Sequence, residues 1–336
     1  MSYGKRLDSD SLKGSTITVS GRDPDLLPTL TQGTYARLET TGFSYQCYLA
    51  DIQIDYGFIP EEDTWTIVFE DALGVAAKIN KTASILSNFQ TTFALSNLAF
   101  PNGPTPNVFT GNTVLNGVAR MSAISMDNAN LLTTFNQIMN TEQGLLYGGF
   151  PSSVTFSKLL YFDYRGSKRG PEAEFTDSTP QVSAIAAKFD GITFAGLQRT
   201  YWDKVIVEPE GLAAQTAGTG NTTYVVKTYD VTTTQAAQTA QYILDNSSPD
   251  TNGPVELTCL AESQTNDAAL TVARVGRVMN IKLRTGEYTC EVLGGLINIT
   301  PATTRFTYYL KLREGSSFNF TLDSTYYGVL DQDKLG

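Results

Sequence analysis

The sequence of 336 residues contains no histidine. That absence removes Ser-His-Asp and Cys-His nucleophile systems, and with them the commonest ligand of catalytic zinc. Carboxylates, Lys, Tyr and Cys are what remain for catalysis. Cysteine is scarce as well: Cys47, Cys259 and Cys290 have no CxxC spacing, so neither a zinc site nor a redox pair is signalled. Cys47 in FSYQCYLADIQI and Cys290 in EYTCEVLGG lie in strand-like stretches, where a reduced thiol behaves as a small hydrophobe. A Cys259–Cys290 bridge stays open as the alternative. Charged residues make up only 17% and sum to −10, which argues against a nucleic-acid-binding surface, because phosphate neutralisation supplies most of such affinity. No run of about 18 apolar residues exists, so no membrane span is expected. MSYGKRLDSDSLKGS carries charge but no apolar h-region, so no signal peptide is expected either.

What is present is a foldable chain. Its apolar fraction is 41%, with 17 Tyr and 17 Phe, and its length suits two or three domains. Ser, Thr, Asn and Gln fill much of the remaining surface, a composition common in all-β extracellular and particle proteins. YQCYLADIQIDYG (45–57) and TWTIVFED (64–71) alternate and are joined by Pro60-Glu61-Glu62-Asp63, which predicts a hairpin. The period then changes, and ALGVAAKINKTASIL predicts a helix capped by Asp71, although Gly74 weakens it. PNGPTPN (101–107) is a linker or turn. DNANLLTTFNQIMNTEQG (127–144) predicts the strongest helix, with Asp127 as cap, one stripe of Leu131, Leu132, Phe135, Ile138 and Met139, and Gly144 at its end. Burying four such side chains contributes on the order of 6–12 kcal/mol before chain entropy, so this face must lie on a sheet. A second helix, with Ala236, Ala240, Ile243 and Leu244 on one face, is predicted near 232–246. From Val255 to Phe320 the pattern is again strands, and no short-period repeat is visible. The expected domains are a β-rich one over 1–100, an α+β insertion over 101–180, a second β-rich domain over 181–300, and a closing strand and tail over 301–336.

Few stretches offer chemistry. Glu61, Glu62 and Asp63 with Glu70 and Asp71 could supply an acid/base pair of the glycosidase kind, but Glu61–Asp63 follow Pro60 in a turn where acids are simply solvated. The one basic cluster, Arg165, Lys168 and Arg169 beside Glu172 and Glu174, reads as a solvated loop. AGTGNTT lacks the spacing and Lys of a phosphate loop, and GGLINIT (294–300) reads as a bulge or close packing. YFDY (161–164), FTYY (306–309) and STYY (324–327) are sugar-stacking platforms only if they are not core. No calcium loop of the D-x-D-x-D-G type appears. No catalytic, metal or cofactor-binding residue is expected.

Four segments carry a resemblance. They are the strand pair leading into a helix at TWTIVFEDALGVAA, the unit NLLTTFNQIMNTEQGLLYGGFPSSVTF, the strand, Ala-rich helix and proline of TYDVTTTQAAQTAQYILDNSSPDTNGPVELTCLA, and RVGRVMNIKLRTGEYTCEVLGGLINITPATTRFTYYLKL, closing on FTLDSTYYGVLDQDKLG. Their order resembles the minor tail proteins of long-tailed (siphovirus-type) bacteriophages, of the tail-hub or baseplate-hub type, over roughly 45–336. The sequence departs from that pattern after the I-T-P turn, where such proteins often carry Trp and this one has Phe306.

The resemblance implies a β-dominated α+β fold with two small β-barrel domains and inserted α+β segments, assembling as a homotrimer. The two barrels would alternate in a pseudo-sixfold ring that meets the tail tube, and a carboxylate-lined lumen would let DNA slide without binding. Implied partners are further copies of the chain, a tail-tube or distal-tail ring protein, the tape-measure protein and other minor tail or fibre proteins. The place would be the virion tail tip, after synthesis in the host cytoplasm. The alternatives are a glycan-binding or glycan-cleaving tail protein and another ring component such as a distal-tail protein. At the chain end, Phe318, Phe320 and Leu322 predict a closing strand, and Leu330 and Leu335 are expected to pin the tail to this subunit or its neighbour.

Overall fold

The computed structural model describes residues 1–4, 13–22, 31–40, 43–99, 112–114, 117, 119–148, 160–163, 171–176, 186–194, 202–245, 253–261, 270, 275–283 and 286–313. The closing segment with Phe318, Phe320, Leu322, Leu330 and Leu335 lies outside these residues, as do the basic cluster of Arg165, Lys168 and Arg169, the PNGPTPN stretch and STYY. The chain divides into two units, the first made of residues 1–4, 10–167 and 199–250, the second of residues 5–9, 168–198 and 251–336.

In the first unit, alternating sequence produces β1 (Ser2–Gly4), β2 (Thr16–Arg22), β3 (Tyr35–Thr40), β4 (Phe43–Asp55) and β5 (Thr64–Glu70), antiparallel in the order β1-β2-β5-β4-β3. Alternate residues Tyr45, Cys47 and Leu49 from β4 and Ile67 and Phe69 from β5 are buried, and so is Gln46 on the opposite face of β4. A bulge between Leu49 and Asp51 shifts the register against β5. The predicted hairpin is therefore present.

The chain then enters an α+β layer: α1 (Ala72–Lys78), β6 (Asn80–Ile85), α2 (Thr91–Ala99), β7 (Asn112–Val114), β8 (Ile124–Asn130), α3 (Leu131–Glu142), β9 (Leu145–Gly148) and β10 (Leu160–Asp163). Asp71 caps α1 as expected, its Oδ1 accepting from Gly74 N at 2.9 Å. The strongest predicted helix begins later than its composition indicates. Residues 124–130 pair with β6 as β8, so Asp127 is not the cap; Asn130, in extended conformation, caps α3 by accepting from Thr133 N. At the other end Gln143, not Gly144, takes the left-handed conformation, with φ 54°. Of the expected stripe, Leu131, Phe135, Ile138 and Met139 are buried and Leu132 only partly. The face meets Leu73 of α1 and Leu95 and Leu98 of α2 as well as Met121 and Ile124, so helices cover it and not the expected sheet alone.

After β11 (Ala173–Thr176), β12 (Ala186–Lys188) and β13 (Gly191–Phe194) of the second unit, the chain returns to the first as β14 (Lys204–Pro209), β15 (Gln215–Gly218), β16 (Thr223–Thr228) and α4 (Thr233–Asp245). The sheet β15-β14-β16 buries Val205, Val207 and Val226 beneath Ala236 and Ala240 of α4. This small layer is tied to α3 by Tyr229 N, which donates to Thr141 Oγ1 at 2.7 Å.

The second unit is completed by β17 (Pro254–Leu260), β18 (Val278–Leu283), β19 (Gly286–Ile299) and β20 (Thr304–Leu312), in the path β12-β11-β18-β19-β20-β17-β13. Its two end strands belong to one extended segment. β12 pairs with β11, Phe189 N donates to Thr176 O, Asp190 N donates to Thr258 O, and β13 pairs with β17. Residues 186–194 thus connect the two ends of the path, pairing with β11 through β12 and with β17 through β13.

Four strands of each unit repeat one another. β2, β3, β4 and β5 correspond in chain order and pairing to β17, β18, β19 and β20: the last three form a meander, and the first pairs with the fourth. Tyr35 maps to Val278 and Phe43 to Gly286, a shift of 243 residues in both cases. The same shift carries the β4 bulge onto the β19 bulge, between Val292 and Gly294, and Tyr45, Cys47 and Leu49 onto Tyr288, Cys290 and Val292, all buried. The repeat is a duplication of a half-barrel separated by about two-thirds of the chain.

Candidate functional site

The acidic group singled out by sequence is dispersed into separate structural tasks. At the β4–β5 turn, Asp63 Oδ1 accepts from Gly57 N at 2.7 Å and Glu62 Oε2 from Phe58 N at 3.2 Å, so both carboxylates hold the loop backbone. Glu70 pairs with Lys78 at 2.7 Å. Asp71 is buried at 1% exposure, caps α1 and accepts from Tyr45 OH at 3.2 Å, with Ser15 as a further partner. Gly148 backs this carboxylate, leaving no room for a Cβ without crowding Asp71 at 3.0 Å.

Burial pushes the Asp71 carboxyl above the ordinary value of 3.8, against the hydrogen bonds that favour its charged form. A folded-state value raised above the unfolded one means that the native state holds the extra proton, so stability falls as pH rises from about 3.8 through the raised value. Relative to Asp71→Asn, which does not titrate, the wild type is therefore expected to lose unfolding free energy over that interval. Denaturant titrations of both proteins between about pH 3.5 and 7 measure the difference; parallel curves, or a wild type gaining stability with pH, contradict the assignment.

A second buried carboxylate was missed by sequence reasoning. Glu142, at the end of α3 and 1% exposed, accepts from Thr91 Oγ1 at 2.7 Å and from Ala119 N at 2.9 Å. It holds the start of α2 and the strand-like stretch before β8 together. The only signal in the sequence was a Glu in the last turn of a helix, where it opposes the helix dipole and needs another reason to be there.

The remaining candidates resolve into packing. All three cysteines are free and buried, which answers the question of a Cys259–Cys290 bridge. Burial pushes the Cys47 thiol up to about 12, with the Asp71 charge adding to it, and burial moves Cys259 in the same direction. Such thiols are inert fillers. In FTYY, Phe306 and Tyr308 are buried, and Gly294 and Gly295 of GGLINIT sit at the β19 bulge with both residues buried. In AGTGNTT, Gly218 adopts φ 76° and lies against the Asp203 carbonyl, where a Cβ would come within 2.2 Å. Glu172 and Glu174 pair with Arg277 and Lys282, at 2.7 and 2.8 Å, across neighbouring strands. Among the described residues no group of three or more His, Cys, Asp or Glu is placed to hold a metal, and no helix is long and apolar enough to cross a membrane.

Large apolar residues are exposed at the two hairpins as well as at Leu86 after β6 and Val225 in β16. Tyr56 is 78% and Phe58 98% exposed in the β4–β5 turn, while Leu296 and Ile299 are exposed at the end of β19. No family model matches the chain, and no curated protein matches it by sequence. Among solved structures, the 43 kDa tail protein of prophage MuSo2 from Shewanella oneidensis matches with a TM-score of 0.57 at 12% identity, over 92% of this chain and 91% of that one. A tail protein from Neisseria meningitidis MC58 matches with a TM-score of 0.57 at 10% identity, over 90% and 92% of the two chains. The fold is that of phage tail proteins. A third match is an E. coli type VI secretion component described as structurally similar to the T4 phage tail proteins gp27 and gp5, with a TM-score of 0.52 at 10% identity over 92% of this chain and 72% of that one. The β-dominated α+β fold expected from the four resembling segments is thus met by the structure, and it is a fold shared with phage tail proteins.

Proposed function

We propose that the chain is a structural, non-enzymatic component of a phage tail tip, acting as a ring-forming hub. The observation that carries this reading is the duplicated half-barrel inside a tail-protein fold. Two equivalent modules per subunit let a threefold assembly present six similar faces to a sixfold tube, which resolves a symmetry mismatch without six identical chains. A homotrimer is therefore the proposed state. Its neighbours would be a tail-tube or distal-tail ring protein above and tape-measure, fibre or other minor tail proteins around it. With a net charge of −10, an acidic lumen would pass DNA without retaining it. The proposed location is the virion tail tip.

The purified full chain should have a solution mass three times the 36.5 kDa of the subunit and no turnover on cell-wall glycan. A monomer that cleaves glycan defeats the hub in favour of a glycan-cleaving tail protein. Six copies per ring in images of the particle would instead favour a tube-terminating or distal-tail role.

A further inference from the structure

The two halves of the duplication close their hairpins differently, and the difference points outward. β19 and β20 are joined by Thr300–Thr303, a turn satisfied internally by Thr300 N donating to Thr303 O and Thr303 N donating to Thr300 Oγ1. The equivalent β4–β5 connection runs from Tyr56 to Asp63, twice as many residues, so the fold does not need the extra length to turn the chain. That added length is ordered. Asp63 and Glu62 hold the Gly57 and Phe58 amides, and Pro60–Glu62 forms a single 3-10 turn closed by Glu62 N to Ile59 O and Asp63 N to Pro60 O. The effect is to display Tyr56, Phe58 and Ile59 at 78%, 98% and 45% exposure on a fixed tip.

Around the tip stand Asp55, Glu61, Glu62 and Asp63, none in an ion pair among the described residues, and the described cation nearest to them in register is Arg22, across from Thr64 at the end of β2. A pre-ordered aromatic knob inside an acidic collar is the form of an interface anchor, because little side-chain or loop entropy remains to be lost on binding. The collar also selects the partner. In a chain of net charge −10 the one basic cluster, Arg165, Lys168 and Arg169, adjoins Glu172 and Glu174, so a different protein with an apolar pocket rimmed by Lys and Arg is the better complement to this tip. We propose that the Tyr56–Ile59 tip is a docking knob for such a basic-rimmed apolar pocket on another protein of the tail, a proposal that rests on the structural-protein reading above.

Photocrosslinking within assembled particles tests it. The full chain with Phe58 replaced by p-benzoylphenylalanine is supplied during phage growth, particles are purified and irradiated, and the linked peptide is sequenced. The expected product joins position 58 to a peptide of a different virion protein that carries apolar residues flanked by Lys or Arg. Linkage to another copy of this chain, to an acidic peptide, or to nothing in particles that contain the chain overturns the proposal and leaves the structural reading intact. Absence of the chain from particles overturns the structural reading, and the proposal with it. Phe58→Ser should reduce incorporation by about tenfold or more, the loss typical of a truncated aromatic anchor, at an unchanged melting temperature. Glu61→Lys, which touches no loop hydrogen bond in the structure, should also reduce incorporation; normal incorporation of this variant would overturn the basic rim.

Discussion

Tyr308→Ala is expected to cost the second-unit barrel about 3–5 kcal/mol, the range for truncating a buried aromatic side chain to Ala. Tyr308 is fully buried in β20, meets Phe175 of β11 edge to face at 5.6 Å, and stacks near Phe306 at 6.2 Å. Because β11 and β20 are not neighbours in the path, this ring is the filling between strands that share no hydrogen bonds. Removing it leaves a cavity that the sheet is poorly able to collapse, since β11 and β20 are each held by partners on both sides. The hydroxyl donates to Leu270 O at 3.2 Å, so Tyr308→Phe removes the polar contact alone and should cost about 1 kcal/mol. Native-state hydrogen exchange of the β19 and β20 amides reads both values locally. The equivalent position of the first unit is Ile67, whose truncation to Ala should cost about 2–5 kcal/mol. Exchange rates in Tyr308→Ala equal to those of Tyr308→Phe would mean that the barrel interior is not packed as described.

Period and turn chemistry were enough to place the β4–β5 hairpin, the Asp71 cap, the apolar stripe of α3, the helix near 232–246 and the long strands from Val255 onward. They failed where one signal has two meanings. DNAN before Leu131 has the composition of a helix start, yet Asn128 uses its tolerance of positive φ, 49°, to bend β8 near the register shift against β6. The helix α2, TTFALSNLA, has β-branched residues in its first turn and no charge to mark either end, so propensity could not find it; burial of Ala94, Leu95 and Leu98 holds it. The duplication escaped because what it repeats is register rather than identity. Of the 13 residues of β4, only Tyr45, Cys47 and Ile54 recur unchanged at the shifted positions, as Tyr288, Cys290 and Ile297. Inward alternation constrains only size and polarity, and a bulge leaves no residue-type signature of its own. The resemblance to tail-hub proteins added the two-barrel expectation, which pattern alone did not contain.

The same reasoning explains why no active site emerged from the acidic residues. Their apparent clustering in sequence is broken by the hairpin, which sends Glu61–Asp63 to a solvated tip and Glu70 and Asp71 to the far end of β5. Carboxylates seven or more residues apart along one strand are separated by about 20 Å or more, beyond the spacing of a paired acid and base.

Glu142→Ala should cost on the order of 3–5 kcal/mol and loosen α2 before it loosens α3. The carboxylate is buried, and its loss strands two donors at once, Thr91 Oγ1 and Ala119 N, each left without the partner it has in the folded state. Gly117 shows how tightly the site is closed: a Cβ there would run into the Thr91 side chain and come within 3.1 Å of Glu142 Oε2. Solvent therefore has little room to replace the missing acceptor. Glu142→Gln keeps one acceptor oxygen at similar volume and should cost less, about 1–2 kcal/mol, since a neutral acceptor makes a weaker bond than an ionised one. Both donors sit at the start of α2 or just before β8, whereas the apolar stripe of α3 is untouched. Exchange protection should therefore fall first at the amides of Phe93–Leu95 and at Ala119, with Phe135–Met139 keeping theirs. Equal loss across α2 and α3 would mean that Glu142 stabilises the layer as a whole, and no loss in Glu142→Ala would mean that the two donors find partners elsewhere.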